Sequence, residues 1–171
     1  VLTSGERIED ALAKLKDSVV SLPGQADVFH FDENHSAGNG EKANRVSIES
    51  VSSNKPWFEY DAEKDRYLRF QYGKPQMDAE YGVQVGTRNL IVLQMKTENV
   101  KNSELKLITM ATTGTGKGWY CCGGKAIPIK WSKAGYDKPL VLTLEDGSDL
   151  KVAPGSSFIT CIQTTRTPVF S

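Results

Sequence analysis

Ala111-Thr112-Thr113-Gly114-Thr115-Gly116-Lys117-Gly118-Trp119-Tyr120-Cys121-Cys122-Gly123-Gly124-Lys125-Ala126-Ile127-Pro128-Ile129-Lys130-Trp131 is the stretch whose reading decides the fold. It reads as a glycine-rich turn, a strand over Trp119–Cys122, a tight turn and a second strand over Lys125–Trp131. Gly123-Gly124 tolerates the positive φ that primed hairpin turns require. Pro128 has no N–H for a ladder, so the second strand is expected at an edge or with a bulge. Cys121 and Cys122 are neighbours on a strand and point to opposite faces. With Cys161 they read as three buried thiols acting as small hydrophobes, and no Cys-x-x-Cys pattern is present.

The flanking segments supply further strands. Leu105–Met110 alternates, and Leu90–Met95 is a continuous apolar run, the mark of a central strand buried on both faces. Trp57–Tyr60 and Arg66–Tyr72, separated by the polar turn Asp61–Asp65, give a hairpin that Gly73-Lys74-Pro75 ends. Arg45–Ser50 has Val46 and Ile48 on one face, and Val28–Phe31 is a short apolar run. Asp32–Asn44 reads as a mobile loop. Leu140–Leu144 and Leu150–Val152 flank Asp146-Gly147, a strong hairpin signal. Pro154-Gly155 turns the chain into a last strand, Phe158–Ile162, and Thr164–Ser171 reads as a frayed tail.

At the other end, Thr3 and Ser4 are good N-caps, and Thr3 with Glu6 has capping-box spacing. Ile8, Ala11, Leu12 and Leu15 follow one apolar face, predicting a helix from about Gly5 to Lys16 before Pro23-Gly24 breaks the chain. One helix followed by hairpin-connected strands, without βαβ alternation, gives a β-rich α+β fold. Its body is a largely antiparallel sheet, sandwich or partly open barrel.

The 171 residues suffice for one domain with a core, and 39% hydrophobic with 25% charged residues is an ordinary globular mix. The 21 basic and 21 acidic side chains cancel. That balance lacks the basic excess of a nucleic-acid binder. No apolar run approaches the roughly 20 residues needed to span a bilayer. The first residues do not have the pattern of a signal peptide, and the start at Val1 suggests a processed or trimmed piece.

Motifs for chemistry are incomplete. Gly116-Lys117 is followed by Gly118 where a phosphate-binding loop needs a hydroxyl, and Trp119 stands at the third glycine of a dinucleotide fingerprint. His30, Asp32, Glu33 and His35 are ligand types, but nothing elsewhere completes a shell, so no metal or cofactor is expected. Asp61, Glu63 and Asp65 have calcium-loop spacing, yet Arg66 and Tyr72 occupy the glycine and glutamate positions, and a solvated hairpin tip explains them better. No base can be placed beside a Ser or Cys nucleophile. Carboxylates such as Glu59, Asp61, Asp78 and Glu80 are available for glycoside hydrolysis without being placed for it.

The aromatic residues are the most suggestive set. Trp57, Tyr60, Tyr67, Phe70, Tyr72, Trp119, Tyr120 and Trp131 lie on expected strands, interleaved with Arg66, Arg69, Lys74, Lys117 and Lys130. Alternation sends about half of the rings inward as core. The rest are expected either to close the core as cross-strand pairs or to form a face that stacks on flat ligands or sugar rings. Arg69, Lys74, Asp78, Lys117, Trp119 and Trp131 are the candidate ligand-binding residues, and no residue is assigned as catalytic.

Trp57-Phe58-Glu59-Tyr60-Asp61, Arg66-Tyr67-Leu68-Arg69-Phe70, Gly73-Lys74-Pro75 and Asn89-Leu90-Ile91-Val92 together resemble the C-terminal part of the YerB-like bacterial lipoprotein family, a domain of unknown function. Gly114–Tyr120, Gly124–Ile127, Trp131 and Pro154-Gly155 extend the likeness in the same order. Gln76 stands where a histidine is expected, and the cysteine pair replaces other residues. The resemblance implies that residues 1–45 are a helix and loop continuing from a missing N-terminal domain, with 46–171 as the β-rich C-terminal domain. It implies a parent protein outside the cytoplasm, held to the membrane by a lipid anchor absent from this chain. The expected function is a non-catalytic module binding a cell-wall polymer or an envelope protein. The alternative is an envelope hydrolase completed by the N-terminal domain, with a cleft lined by Arg69, Lys117 and Asp78.

Overall fold

The computed structural model describes residues 4–15, 29–48, 55–105 and 107–171. Helix α1 (Gly5–Leu15) starts at Ser4, whose Oγ accepts the Arg7 N–H at 3.4 Å and satisfies one first-turn donor. Thr3, Lys16, Val28, Glu49, Ser50 and the Pro23-Gly24 break lie outside the described residues. On α1 the apolar residues Ile8 and Leu12 are exposed.

Strands follow in chain order as β1 (His30–Phe31), β2 (Glu41–Lys42), β3 (Arg45–Ser47), β4 (Trp57–Asp61), β5 (Arg66–Gln71), β6 (Lys74–Pro75), β7 (Gly86–Thr87) and β8 (Asn89–Met95). Then come β9 (Thr97–Asn99), β10 (Ile108–Met110), β11 (Gly114–Cys122), β12 (Lys125–Lys133), β13 (Val141–Thr143), β14 (Lys151–Val152), β15 (Ser157–Gln163) and β16 (Val169–Phe170). The order β13-β12-β11-β8-β15, with β2 on β12, makes one six-stranded sheet. The order β16-β3-β4-β5-β6, with β7 on β5, makes a second. Pairing is antiparallel except for β15 on β8 and β1 on β14. The architecture is a β-rich α+β sandwich.

Strand alternation produces two cores. Leu90 and Val92 of β8 face the second sheet, packing with Cys121, Ala126 and Ile162 against Val46, Phe58 and Tyr67. Ile91, Leu93 and Met95 face the other way, with Tyr120, Cys122, Ile129, Trp131, Leu142 and Val152. The apolar run of β8 is thus buried on both faces, as its continuity requires.

Several segments differ from the sequence expectation. Asp32–Asn44 is packed: Ser36–Asn39 form a 3-10 turn, and Ala37 and Ala43 are fully buried, one in each core. Its polar side chains satisfy backbone groups locally and across the fold, with Asp32 accepting from the Asn34 N–H and Ser36 from the Lys151 N–H. A Cβ on Gly40 would stand 2.3 Å from the Ala126 carbonyl oxygen, so only glycine allows this approach. The tail ends in a strand, Val169–Phe170: Phe170 packs on the inter-sheet core, and Arg45 and Ser171 exchange backbone hydrogen bonds. Its apolar run is too short to show a period. Of the expected strand Leu105–Met110, in which Lys106 lies outside the described residues, Ile108–Met110 pair with β9 in a two-stranded ribbon, and Leu105 and Leu107 are exposed. Cys121 and Cys122 are buried on opposite faces, but Cys161 is exposed on β15; all three are free thiols. Pro128 sits where β12 is locally an edge, because β13 pairs only with Lys130–Ser132 and β2 only with Lys125 and Ala126.

Candidate binding surface

The glycine-rich segment is strand rather than turn. The two-residue turn Gly123-Gly124 has φ of 59° and 71°, as a primed hairpin needs. It sets a register in which Gly116 faces Trp131, Lys117 faces Lys130 and Thr115 faces Ser132. The glycines make room. A Cβ on Gly116 would lie 2.5 Å from Trp131 Nε1, and one on Gly118 would lie 2.5 Å from the Val92 carbonyl oxygen. Trp131 therefore lies over the strand, 3% exposed, and its indole N–H donates to the Gln94 carbonyl at 3.0 Å.

The alternate positions of the same hairpin face the other way. Thr115, Lys117 and Trp119 lie opposite Ser132, Lys130 and Pro128. Near the turn the second sheet covers this face, and Trp119 is half-buried against the inter-sheet core. Farther out, among the described residues, the cover ends. There Thr115, Lys117, Lys130, Ser132 and Thr143 line an open groove of about 400 Å³, with Trp131 contributing to its floor. Lys117 and Lys130 are exposed and directly opposite each other, a like-charge pair that works against the sheet. No carboxylate among the described residues pairs with Lys117, while Lys130 Nζ donates to the Glu145 carbonyl. Two ammonium groups, three hydroxyls and a half-exposed indole beside them suit an anionic chain with ring substituents.

The six candidate residues fall into separate places. Lys117 and Trp131 share the groove, with Trp119 next along the strand, although the enclosed Trp131 ring is not available for stacking. Arg69 lies on the inner face of the second sheet, its guanidinium 5.4 Å from the Phe158 ring centre and 6.0 Å from that of Phe58. Burial lowers its pKa. Lys74 is exposed on β6. The Asp78 carboxylate accepts from the N–H groups of Glu80 and Tyr81 at 2.9 and 3.0 Å and so holds its own turn. On the outer face of the second sheet, Trp57 lies between Phe70, stacked at 4.9 Å, and the Arg45 guanidinium at 4.8 Å. Arg45 is ion-paired with Glu59, so the groove of about 450 Å³ beside it is partly neutralised. Thr115, Lys130, Ser132 and Thr143 lie outside the six candidates, although the Gly-Gly turn implies the register that brings Lys130 to Lys117.

A second polar cluster marks the corner where the chain leaves β7 for β8. Arg88 donates from Nε to Asp65 at 2.9 Å, from one terminal nitrogen to Glu33 at 3.2 Å and from the other to the Pro154 carbonyl at 2.6 Å. Asp65 also accepts from the Tyr60 hydroxyl at 2.8 Å. It is therefore a structural tie, not a solvated hairpin tip. Burial and this bond push the Tyr60 hydroxyl up to about 12. His35 packs edge-on to Tyr120, and its Nε2 lies 3.6 Å from where a Cβ on Gly123 would stand. Burial lowers the His35 imidazole and raises the Cys122 thiol, so both are neutral near pH 7 and form no thiolate–imidazolium pair. His35 Nδ1 is buried without a hydrogen-bond partner, whereas Arg88, Asp65, Glu33 and Tyr60 are engaged with one another and make the cluster a clamp between layers. Elsewhere in the loop, His30 approaches Asp149 and Asp32 pairs with Lys151, so the possible metal ligands diverge. Among the described residues no group of three or more such ligands converges.

The fold and this surface define a β-rich sandwich module. Residues 46–159 match the family described as "Protein of unknown function (DUF3048) C-terminal domain", and the chain belongs to that family. The crystal structure of the YerB protein from Bacillus subtilis is similar, with a TM-score of 0.71 at 19% identity over 98% of this chain. The chain corresponds to 54% of that protein's chain, about half its length. No curated protein matches the sequence.

Proposed function

We propose that this domain is a non-catalytic binding module for an anionic polymer of the bacterial cell envelope, gripped by Lys117 and Lys130. The observation that carries the reading is their cross-strand pairing, both exposed, in an open groove among the described residues. Two like charges held side by side cost the fold a little, and a bound anion relieves that repulsion. Thr115, Ser132 and Thr143 supply neutral hydrogen-bonding groups, and Trp119 supplies an adjoining apolar surface. The extracytoplasmic, lipid-anchored setting is part of the proposal and is supported by the resemblance to the YerB-like lipoproteins.

Retention of the chain on purified bacterial cell walls, with and without their phosphodiester polymers, tests this. Wild-type protein is expected to bind the intact walls and to release as salt screens the contact. Lys117→Ala/Lys130→Ala is expected to weaken retention roughly tenfold or more, equivalent to about 1.4 kcal/mol. Retention equal in wild type and variant, or no retention by either, contradicts the proposal.

A further inference from the structure

The edge strand β15 differs from the other sheet edges among the described residues. Among the described residues, every other strand at a sheet edge is two or three residues long. β6, at one edge of the second sheet, is Lys74-Pro75. Short edges, lysine and proline are common means of keeping a free row of N–H and C=O groups from pairing with another chain. β15 has none of them. It is seven residues long, Ser-Phe-Ile-Thr-Cys-Ile-Gln, without charge or proline. It follows β8 in unbroken register from Ser157–Asn89 to Gln163–Met95, so no bulge turns it away. Ile159 and Cys161 are exposed on one of its faces.

We propose that β15 pairs antiparallel with β15 of a second copy of this chain, about a two-fold axis at Thr160. The sequence of the strand is complementary to itself in that register. Thr160 meets Thr160, Ile159 meets Cys161, Phe158 meets Ile162 and Ser157 meets Gln163. Apolar side chains oppose apolar ones, polar oppose polar at the ends, and Thr–Thr is a favourable cross-strand pair. A strand with no charge brings no like charges together when it meets itself. It also offers no electrostatic attraction to a charged segment of another protein. The contact is isologous and joins the first sheets of two copies into one continuous sheet. It leaves the groove around Lys117, at the other end of the strand order, clear on both copies.

Ile159→Cys provides a covalent readout, because it would oppose the native Cys161 of the other copy. Directly opposed residues in an antiparallel pair have Cα atoms about 4.5–5.5 Å apart, within the range that a disulfide spans. Mild oxidation is expected to yield a disulfide-linked dimer that disappears in Ile159→Cys/Cys161→Ser. Sedimentation supplies the reversible readout. Wild type is expected to be dimeric, Ile159→Lys/Cys161→Lys monomeric, and Ile159→Lys/Cys161→Asp dimeric in a salt-sensitive way. Both side chains are exposed, so each variant is expected to keep the wild-type circular dichroism spectrum. A wild-type monomer at the highest soluble concentration overturns the proposal. So does a dimer indifferent to the paired lysines, or a folded Ile159→Cys protein that does not cross-link.

Discussion

The two faces of the β11–β12 hairpin are built from the same strands and obey opposite rules. On one face Gly116 gives up its side chain so that Trp131 can lie across the sheet and seal a core, and Gly118 does the same for the close approach of the Val92 carbonyl. On the other, one residue out of step, Thr115 and Lys117 meet Ser132 and Lys130 in an open groove. The difference teaches that a period of two lets one hairpin carry stability and recognition separately. Substitutions on the glycine–tryptophan face should act on folding. Substitutions on the lysine face should act on binding and leave folding alone.

The largest effect is expected from Trp131→Ala. It removes a ring that is 3% exposed and orphans the Gln94 carbonyl that the indole N–H satisfies. A loss of about 3–5 kcal/mol is expected by denaturant unfolding; a loss no larger than that of an exposed tryptophan would break the comparison. Gly116→Ala follows, because the new Cβ would press on Trp131 Nε1 and on the Gln94 carbonyl oxygen, 2.8 Å away. Overpacking of this kind is expected to cost about 1–3 kcal/mol. A variant as stable as wild type would mean that the close approach of the two strands is not what demands glycine.

Arg88→Ala tests the corner clamp, which lies outside the hairpin. It strips partners from Asp65, Glu33 and the Pro154 carbonyl at once. Part of this site is exposed, so a loss of about 1–2 kcal/mol is expected, with no effect on wall binding. A smaller change is expected at His35. Its imidazole is held below its ordinary 6.5, chiefly by burial and secondarily by Arg88. The unfolded chain therefore binds that proton more readily than the folded one. Stability rises with pH between the lowered value and 6.5, and falls as acid carries the pH down through that interval. Replacing His35 by Gln should flatten this acid-side slope in a urea titration repeated at several pH values; an unchanged slope would place its origin elsewhere.

Much of the sandwich was legible because β8, β4 and β5 have the apolar periods of their burial. The Gly-Gly turn fixed a register that pairs Lys117 with Lys130 once both strands are drawn to full length. What hid that pairing was the glycine content of Gly114–Gly118. Glycine usually signals a turn, and only the position of Trp131 reveals that here it makes room within a strand. The packed segment Asp32–Asn44 escaped notice for a related reason. Its burial rests on Ala37, Ala43 and Gly40, residues too small to register as an apolar run, while its polar side chains serve the backbone. The Arg88 clamp joins residues far apart in the chain, and no local pattern announces it. Of the candidate site residues, Trp131 is taken up in packing by its burial, and Arg69 by its contacts with the Phe58 and Phe158 rings.

The central claim is tested most directly by measuring thermal stability and cell-wall retention on the same preparation of Lys117→Ala/Lys130→Ala. The expected result is a stability within about 0.5 kcal/mol of wild type, if anything slightly higher, together with loss of retention. A variant that is clearly destabilised, or one that binds walls as wild type does, would contradict the division between the two faces.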